Sequence, residues 1–273
     1  MLILIGAILS LGGTIGTWFG FGFHTKSPWY LFLLLAFFIT YFVVYLNIYW
    51  LIYLITIRKF KKIESAEKVN LFYLLNVRWT AEFILTINGI FVKKIGFKNR
   101  KKEAGLYLFN HISDYDPWAI YKIMGGRYAF VGKKALTGIP MVKAMASSIG
   151  TLYVDNGDKD TNNKMIDKAV RYITKQDTSV VIAPEGTRSF DGQLRPFKHG
   201  GFHIALHSKC PIYLIGIKNM EKALKKKKYQ AAKVDIELFG EIKPEEYEGK
   251  TAGELAELCE EKYRVFLGQE KHE

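Results

Sequence analysis

The sequence predicts an α/β domain, in which a mostly parallel central sheet is flanked by helices, preceded by an N-terminal hydrophobic helical hairpin in the membrane. Short apolar runs alternate with helical stretches after residue 105, which is typical of a parallel sheet covered by helices. Two uncharged runs occupy most of the first 57 residues, whereas the rest of the chain is mixed and charged. We therefore expect a membrane hairpin over residues 1–62 and the α/β domain over residues 63–273.

The hairpin is predicted from two runs without charged side chains, residues 1–23 and 29–57. A helix of about 20 apolar residues crosses a bilayer core, so each run is long enough. Glycine at every fourth position of the first run predicts a helix face that packs closely against another helix, at Gly12, Gly16 and Gly20. Four basic residues follow within residues 58–62, and the positive-inside rule places this end in the cytosol. We expect an anchor in the cytoplasmic membrane with the α/β domain on the cytosolic face; a shallow re-entrant hairpin is the alternative.

Composition indicates an anionic partner. The chain carries 39 basic and 26 acidic residues, a net charge of +13. Lipid headgroups, nucleic acid and phosphorylated substrates all suit such a charge. With only Cys210 and Cys259, the sequence shows no disulfide framework, which suits a reducing compartment.

The α/β domain is predicted to open with an amphipathic interfacial helix from residue 63 to about 88. The side chains expected to be buried or interfacial are Val69, Phe72, Leu75, Trp79 and Phe83. A turn at Asn88-Gly89 and a strand over 90–95 follow. Further strands are predicted at residues 106–109, 128–131, 151–154, 180–183, 212–217 and 234–239. Helices are predicted at residues 118–124, 141–148, 163–174 and 201–207. A capping box of Thr251 and Glu254 predicts the start of a last helix, which extends to about residue 267.

A turn after the strand 106–109 contains a candidate catalytic pair, His111 and Asp116. On one helix or one strand these side chains would diverge, so they meet only if a turn folds His111 over a helix start. Asp116-Pro117 predicts that start, with Asp at the N-cap and Pro at the first helical position. A carboxylate on one imidazole nitrogen leaves the other free to take a proton, so His111 is a candidate general base.

A second polar turn follows the strand 180–183 and suggests a phosphate site. Gly186 allows close backbone approach, Thr187 offers a hydroxyl and Arg188 offers a planar fork of donors. The alternative interpretation is a charged surface turn in which Glu185 and Arg188 pair with each other.

Taken together, the chain resembles the glycerolipid acyltransferases, especially the bacterial lysophosphatidate acyltransferases. The resemblance is carried by two motifs in family order, Asn110-His111-x-Ser113-x-x-Asp116-Pro117 and Pro184-Glu185-Gly186-Thr187-Arg188-Ser189. Flanking blocks similar to the family's begin at Phe130, Pro196 and Pro211, so the likeness covers roughly residues 105 to 218. The chain departs from the family pattern at Ala135, Asn156 and Leu214.

The resemblance implies transfer of a fatty acyl group from acyl-CoA or acyl-carrier protein to the free hydroxyl of 1-acyl-glycerol 3-phosphate, giving phosphatidate. It implies His111 as the base, Asp116 as its orienting group, and a site for the acceptor phosphate that comprises Glu185, Gly186, Thr187, Arg188 and Lys133. No metal and no bound cofactor are expected; the partners are membrane lipids, the lysophospholipid acceptor and the acyl carrier, not nucleic acid.

Three alternatives remain open from the residues. Asn156 stands where the family often has an acceptor-binding Arg, so another lysophospholipid or glycerol 3-phosphate could be the acceptor. The positive charge could instead serve a non-catalytic, membrane-anchored protein that binds anionic lipid or nucleic acid. His199, His203 and His207 have a spacing that can bind zinc, but no acidic partner completes a metal site.

Overall fold

The computed structural model describes residues 2–22, 31–59, 71–99, 103–124, 127–138, 140–155, 157–227 and 230–270. It divides into two compact units, Met1–Lys61 and Lys62–Glu273. The first consists of two apolar helices, α1 (Leu2–Gly20) and α2 (Leu31–Lys59). Within α2, the 21-residue stretch Phe32–Ile52 is long and apolar enough to cross a membrane, whereas the apolar stretch of α1, Ile5–Gly20, is shorter.

The two helices of the first unit pack through a glycine face other than the predicted one. A Cβ added to Gly6 would lie 2.5 Å from the ring of Tyr45, and one added to Gly13 would lie 3.2 Å from the ring of Tyr41. The hydroxyls of Thr17 and Tyr41 are 2.7 Å apart in the same contact. The prediction of a packing face at positions 12, 16 and 20 is wrong for this contact, because added Cβ atoms there would meet nothing within 4 Å. Small residues are needed opposite the bulky tyrosines of α2, and these glycines lie on another side of α1.

Seven strands form one sheet in the described part of the second unit, in the order β1-β7-β6-β2-β5-β3-β4. All neighbouring pairs are parallel except β6 and β7. The strands are β1 (Ile90–Ile95), β2 (Leu106–Phe109), β3 (Tyr128–Lys133), β4 (Leu152–Val154), β5 (Ser179–Ile182), β6 (Ile212–Lys218) and β7 (Ala232–Ile242). This is the mostly parallel sheet that the sequence predicts, with every strand within a few residues of its expected place.

Helices flank this sheet as expected, with two differences from the sequence prediction. The helices are α3 (Leu71–Ile87), α4 (Asp116–Ile123), α5 (Pro140–Ser148), α6 (Lys159–Gln176), α7 (His203–Ser208), α8 (Met220–Lys225) and α9 (Ala252–Leu267). The short helix α8 was not predicted. The helix expected over 201–207 is divided between a 3₁₀ turn, His199–Phe202, and α7. The predicted first helix began at residue 63, but residues 60–70, including Val69, lie outside the described residues.

The side chains of α3 that were predicted to be buried or interfacial are not the most buried ones of this helix. Leu75, Trp79 and Phe83 are only half-buried, and nothing is described of the Phe72 side chain. The fully buried apolar side chains of this helix recur at every fourth position, at Tyr73, Val77, Ala81 and Leu85. The polar Asn76 and Thr80 are buried beside them. Because polar residues share the buried face, it cannot be identified from the positions of the apolar residues alone.

Helix α9 covers β6 and β7 with aromatic packing. Thr251 and Glu254 form the predicted capping box at its start. Phe266 of α9 stacks on Phe239 of β7, with ring centroids 4.1 Å apart. The same ring lies over Gly216 of β6, where an added Cβ would be 2.0 Å from Phe266 Cε1. A side chain at this strand position would therefore displace the Phe266 ring that packs α9 against the sheet.

Gly216→Ala is expected to lower the free energy of unfolding by about 1–3 kcal/mol, because overpacking strains a close-packed core. Gly132→Ala is the matched control: it also lies in a strand, but its nearest neighbour would be 3.4 Å away, an ordinary contact. Denaturant unfolding of both variants in detergent, followed by tryptophan fluorescence, checks this. Equal stability of the two variants would contradict the tight contact between α9 and β6.

Candidate active site

The candidate site lies at the carboxyl edge of the parallel strands. The turn with His111 follows β2, the turn with Glu185 follows β5, and Lys133 is the last residue of β3. These strands are neighbours, because β5 pairs with β2 on one side and with β3 on the other. Ligands of open parallel sheets bind at this edge.

Asp116 gathers the first turn around its carboxylate. Its Oδ2 accepts hydrogen bonds from the backbone N–H groups of Ile112 at 2.6 Å and Ser113 at 2.8 Å. Its Oδ1 accepts from the Ser113 hydroxyl at 3.0 Å. Asp116 is the first residue of α4 rather than its N-cap, which is Tyr115. The predicted N-cap is thus wrong by one residue, and the carboxylate folds the preceding turn instead of capping the helix.

His111 completes this arrangement. Its Nδ1 is 2.9 Å from Asp116 Oδ2. The Asp116 side chain is fully buried, whereas that of His111 is 20% exposed. The imidazole therefore contacts the buried carboxylate and is itself accessible from the surface. A proton on Nδ1 satisfies the carboxylate and leaves the Nε2 lone pair available as a base. The turn that the sequence requires for this pair is the one observed.

Asn110 fixes the start of the same turn, a role that the sequence does not reveal. Its side chain bonds both backbone groups of Ile217 in β6: Oδ1 accepts from N–H at 2.7 Å, and Nδ2 donates to C=O at 2.9 Å. The amide therefore continues the pairing of β2 with β6 by one step. The turn that contains His111 therefore begins directly after a residue that is fixed to the sheet.

Backbone hydrogen bonds join the first turn to the second. The Ser189 N–H donates to the carbonyl of His111 at 2.8 Å, and the Phe190 N–H donates to the carbonyl of Ile112 at 3.0 Å. The two predicted motifs, which are distant in sequence, are therefore one local structure.

Glu185 lies beneath this junction. Its Oε1 accepts from the backbone N–H of His111 at 2.6 Å, and its Oε2 accepts from the backbone N–H of Arg195 at 2.8 Å. The side chain is buried, and burial raises the pKa of the Glu185 carboxyl from its ordinary 4.5 to about 7. Both carboxyl oxygens are thus engaged in shaping the two loops.

Arg188 and Thr187 are exposed at the surface of the second turn. Gly186 has φ +64°, a left-handed conformation that favours glycine, and an added Cβ would lie 3.0 Å from the Lys198 side chain. Arg188 donates through Nη1 to Asp114 Oδ2 rather than pairing with Glu185, so the alternative pairing considered from the sequence does not form. Lys133 is exposed at the end of β3, and its neighbour Lys134 pairs with Asp155 at 2.8 Å.

The three histidines with zinc-like spacing do not form a metal site. Within the described ranges, no group of three or more His, Cys, Asp or Glu side chains is arranged to hold a metal ion. His203 and His207 lie side by side, with ring centroids 5.6 Å apart.

Similarity to known proteins was found at the levels of family, sequence and fold. A family model described as acyltransferase matches residues 75–218, just over half of the chain. A 1-acyl-sn-glycerol-3-phosphate acyltransferase of Limnanthes douglasii is 31% identical over 153 residues, which are 56% of this chain and 54% of that protein. The protein of the same name from Haemophilus influenzae is 25% identical over 205 residues, 75% of this chain and 83% of its own length.

A solved structure shares the fold. The crystal structure of the 1-acyl-sn-glycerophosphate acyltransferase PlsC from Thermotoga maritima matches with a TM-score of 0.61 and 22% identity, over 79% of this chain and 86% of that one. This likeness confirms the α/β fold predicted from the sequence. The family model confirms the predicted family. On the extent of the family match, this chain belongs to the acyltransferase family.

Proposed function

We propose that this protein is a membrane-bound 1-acyl-sn-glycerol-3-phosphate O-acyltransferase. It would move a fatty acyl group from acyl-CoA or acyl-carrier protein to the free hydroxyl of lysophosphatidate, giving phosphatidate. The observation that carries the proposal is the junction of the His111–Asp116 pair with the Arg188 turn, which brings an imidazole and a guanidinium to one edge of the sheet. The names of the Limnanthes and Haemophilus relatives support the same acceptor.

In the proposed reaction, His111 Nε2 takes the proton of the acceptor hydroxyl as its oxygen attacks the thioester carbonyl carbon. The tetrahedral intermediate then collapses, the C–S bond breaks, and the leaving thiolate takes the proton from the imidazolium. Asp116 stabilises the imidazolium through Nδ1, where it already lies 2.9 Å away. The reaction needs no electron transfer, and its acyl carrier is a substrate.

The acceptor phosphate is proposed to bind Arg188 and Thr187, with Lys133 adding charge at the neighbouring strand end. A guanidinium offers two parallel N–H groups to phosphate oxygens, which a lysine cannot do. Glu185 contributes by holding the backbone of His111 in place, since both its oxygens already accept from backbone donors.

The membrane and acceptor parts of the proposal rest on separate observations. The apolar side chains of α1 and α2 are extensively exposed within their own unit, including Leu9, Phe19, Phe32 and Leu51, as expected for helices in lipid. Asn156, the departure that leaves the acceptor open, lies outside the described residues. A panel of lysophosphatidate, other lysophospholipids and glycerol 3-phosphate with a labelled acyl thioester identifies the acceptor.

His111→Ala and Asp116→Asn are each expected to lower kcat by about 10²–10⁴-fold, because the first removes the base and the second removes its fixed tautomer. His203→Ala, which removes an exposed histidine of α7, is the matched control and should retain wild-type turnover. The measurement is thioester release with lysophosphatidate as acceptor, in variants that still partition to the membrane. Near-normal kcat in His111→Ala would refute the assigned base.

Arg188→Lys is expected to raise the acceptor KM about tenfold while changing kcat little, because the charge remains but the bidentate fork is lost. Arg171→Lys is the matched control on the exposed surface of α6 and should leave both constants unchanged. Steady-state kinetics with varied lysophosphatidate separates the two constants. A loss confined to kcat would argue against phosphate binding by Arg188.

Glu185→Gln is expected to change how stability depends on pH. The native carboxyl, with a pKa of about 7, binds more protons than the unfolded one, whose ordinary value is 4.5. Between these two pKa values the free energy of unfolding therefore falls as pH rises, and this carboxyl contributes about 3 kcal/mol to the fall. The Gln variant cannot titrate, so this contribution is lost. Unfolding of both proteins from about pH 4 to about pH 8 checks this. Parallel pH profiles for the two proteins would contradict it.

A further inference from the structure

We infer that Asp114 and Phe190 are positioning residues that hold the Arg188 guanidinium ready for the phosphate monoester of the acceptor. The inference rests on the proposed function, in which Arg188 binds that phosphate. The first motif would thus serve twice: its Asp116 orients the base, and its Asp114 orients the cation of the second motif.

The contact between Asp114 and Arg188 crosses between the two turns. Asp114 Oδ2 accepts from Arg188 Nη1, and the side chains are 76% and 40% exposed. An ion pair this exposed contributes little to folding, because water screens it and both side chains lose rotamer freedom. Its consequence is therefore the orientation of Arg188 rather than the stability of the domain.

The geometry leaves the phosphate-binding side of Arg188 available. Asp114 occupies Nη1, and among the described residues no other hydrogen bond from the guanidinium is found. The Nε–H and Nη2–H groups point the same way from a guanidinium and form its side-on fork, which suits two phosphate oxygens. Asp114 thus steadies the group without taking the place of the ligand.

Phe190 fixes the guanidinium from another direction. Its ring lies under Arg188, with 4.9 Å between Cζ and the ring centroid. The ring is 51% exposed, and the residue has φ +56°, a conformation that bulky side chains rarely adopt. The 3.0 Å hydrogen bond from its N–H to the Ile112 carbonyl holds it there. Strained backbone at an exposed aromatic residue beside a site is typical of a functional constraint.

Together these contacts lower the entropic cost of binding. A free arginine side chain has many rotamers, and ordering it on a ligand weakens binding. With one nitrogen and one ring face already engaged, Arg188 loses less freedom when a phosphate arrives. Loss of either support should raise the acceptor KM and leave the chemical step unchanged.

The test compares Asp114→Asn and Phe190→Leu with matched controls. Asp191→Asn makes the same change of charge in the second loop, where Asp191 pairs with Arg195 at 2.8 Å, and Phe190→Tyr keeps the ring. We expect Asp114→Asn and Phe190→Leu to raise the lysophosphatidate KM about two- to fivefold, with kcat and donor KM within about twofold of wild type. Both controls should match wild type, and thermal unfolding confirms that all four variants fold.

A double variant shows whether Asp114 acts through Arg188. In an Arg188→Ala background, adding Asp114→Asn should produce no further change in KM, because the group that it positions is gone. A lower KM in Asp114→Asn would show a competing anion instead and overturn the inference, as would equal behaviour of Asp114→Asn and Asp191→Asn. If the wild-type protein acylates no acceptor of the panel, the proposed function itself fails, and the inference fails with it.

Discussion

The site depends on one residue, His111, whose backbone groups are both bound by the second motif. Its N–H donates to the carboxylate of Glu185, and its carbonyl accepts from the N–H of Ser189. The imidazole is held separately by Asp116. The main chain and the side chain of His111 are thus fixed by different groups. Such a residue cannot move without breaking bonds in both loops, which is the rigidity that the proposed general base requires.

The sheet makes this arrangement possible. Because β2 and β5 are parallel neighbours, the turns that follow them both begin at the same edge of the sheet. Asn110 extends the pairing of β2 to β6, and Glu185 accepts a backbone hydrogen bond from each loop, so both loops are held in place. Burying Glu185 raises its pKa. Burying this carboxyl costs free energy, but it supplies an acceptor to each of two backbone N–H groups, those of His111 and Arg195.

Much of this architecture could be predicted because the signals are local. The strands are apolar runs with clear breaks, and the start of α9 is marked by a capping box that involves only Thr251 and Glu254. The pairing of His111 with Asp116 was also predictable, since only a turn lets side chains five residues apart meet in this way. The spacing alone shows that the two side chains could not meet if both residues lay on one helix or on one strand.

Other features could not be predicted because they depend on contacts distant in sequence. Which glycines of α1 face α2 is decided by Tyr41 and Tyr45, more than twenty residues away. The partner of Arg188 is Asp114 rather than the nearby Glu185, because the fold brings the first turn within reach and buries Glu185.

A crystal structure of the wild-type protein with lysophosphatidate, without acyl donor, tests the central claim most directly. We expect the phosphate oxygens on the Nε–H and Nη2–H groups of Arg188, and the free hydroxyl within about 3.2 Å of His111 Nε2. A phosphate bound away from Arg188, or a hydroxyl that the imidazole cannot reach while the phosphate is in place, would contradict the account.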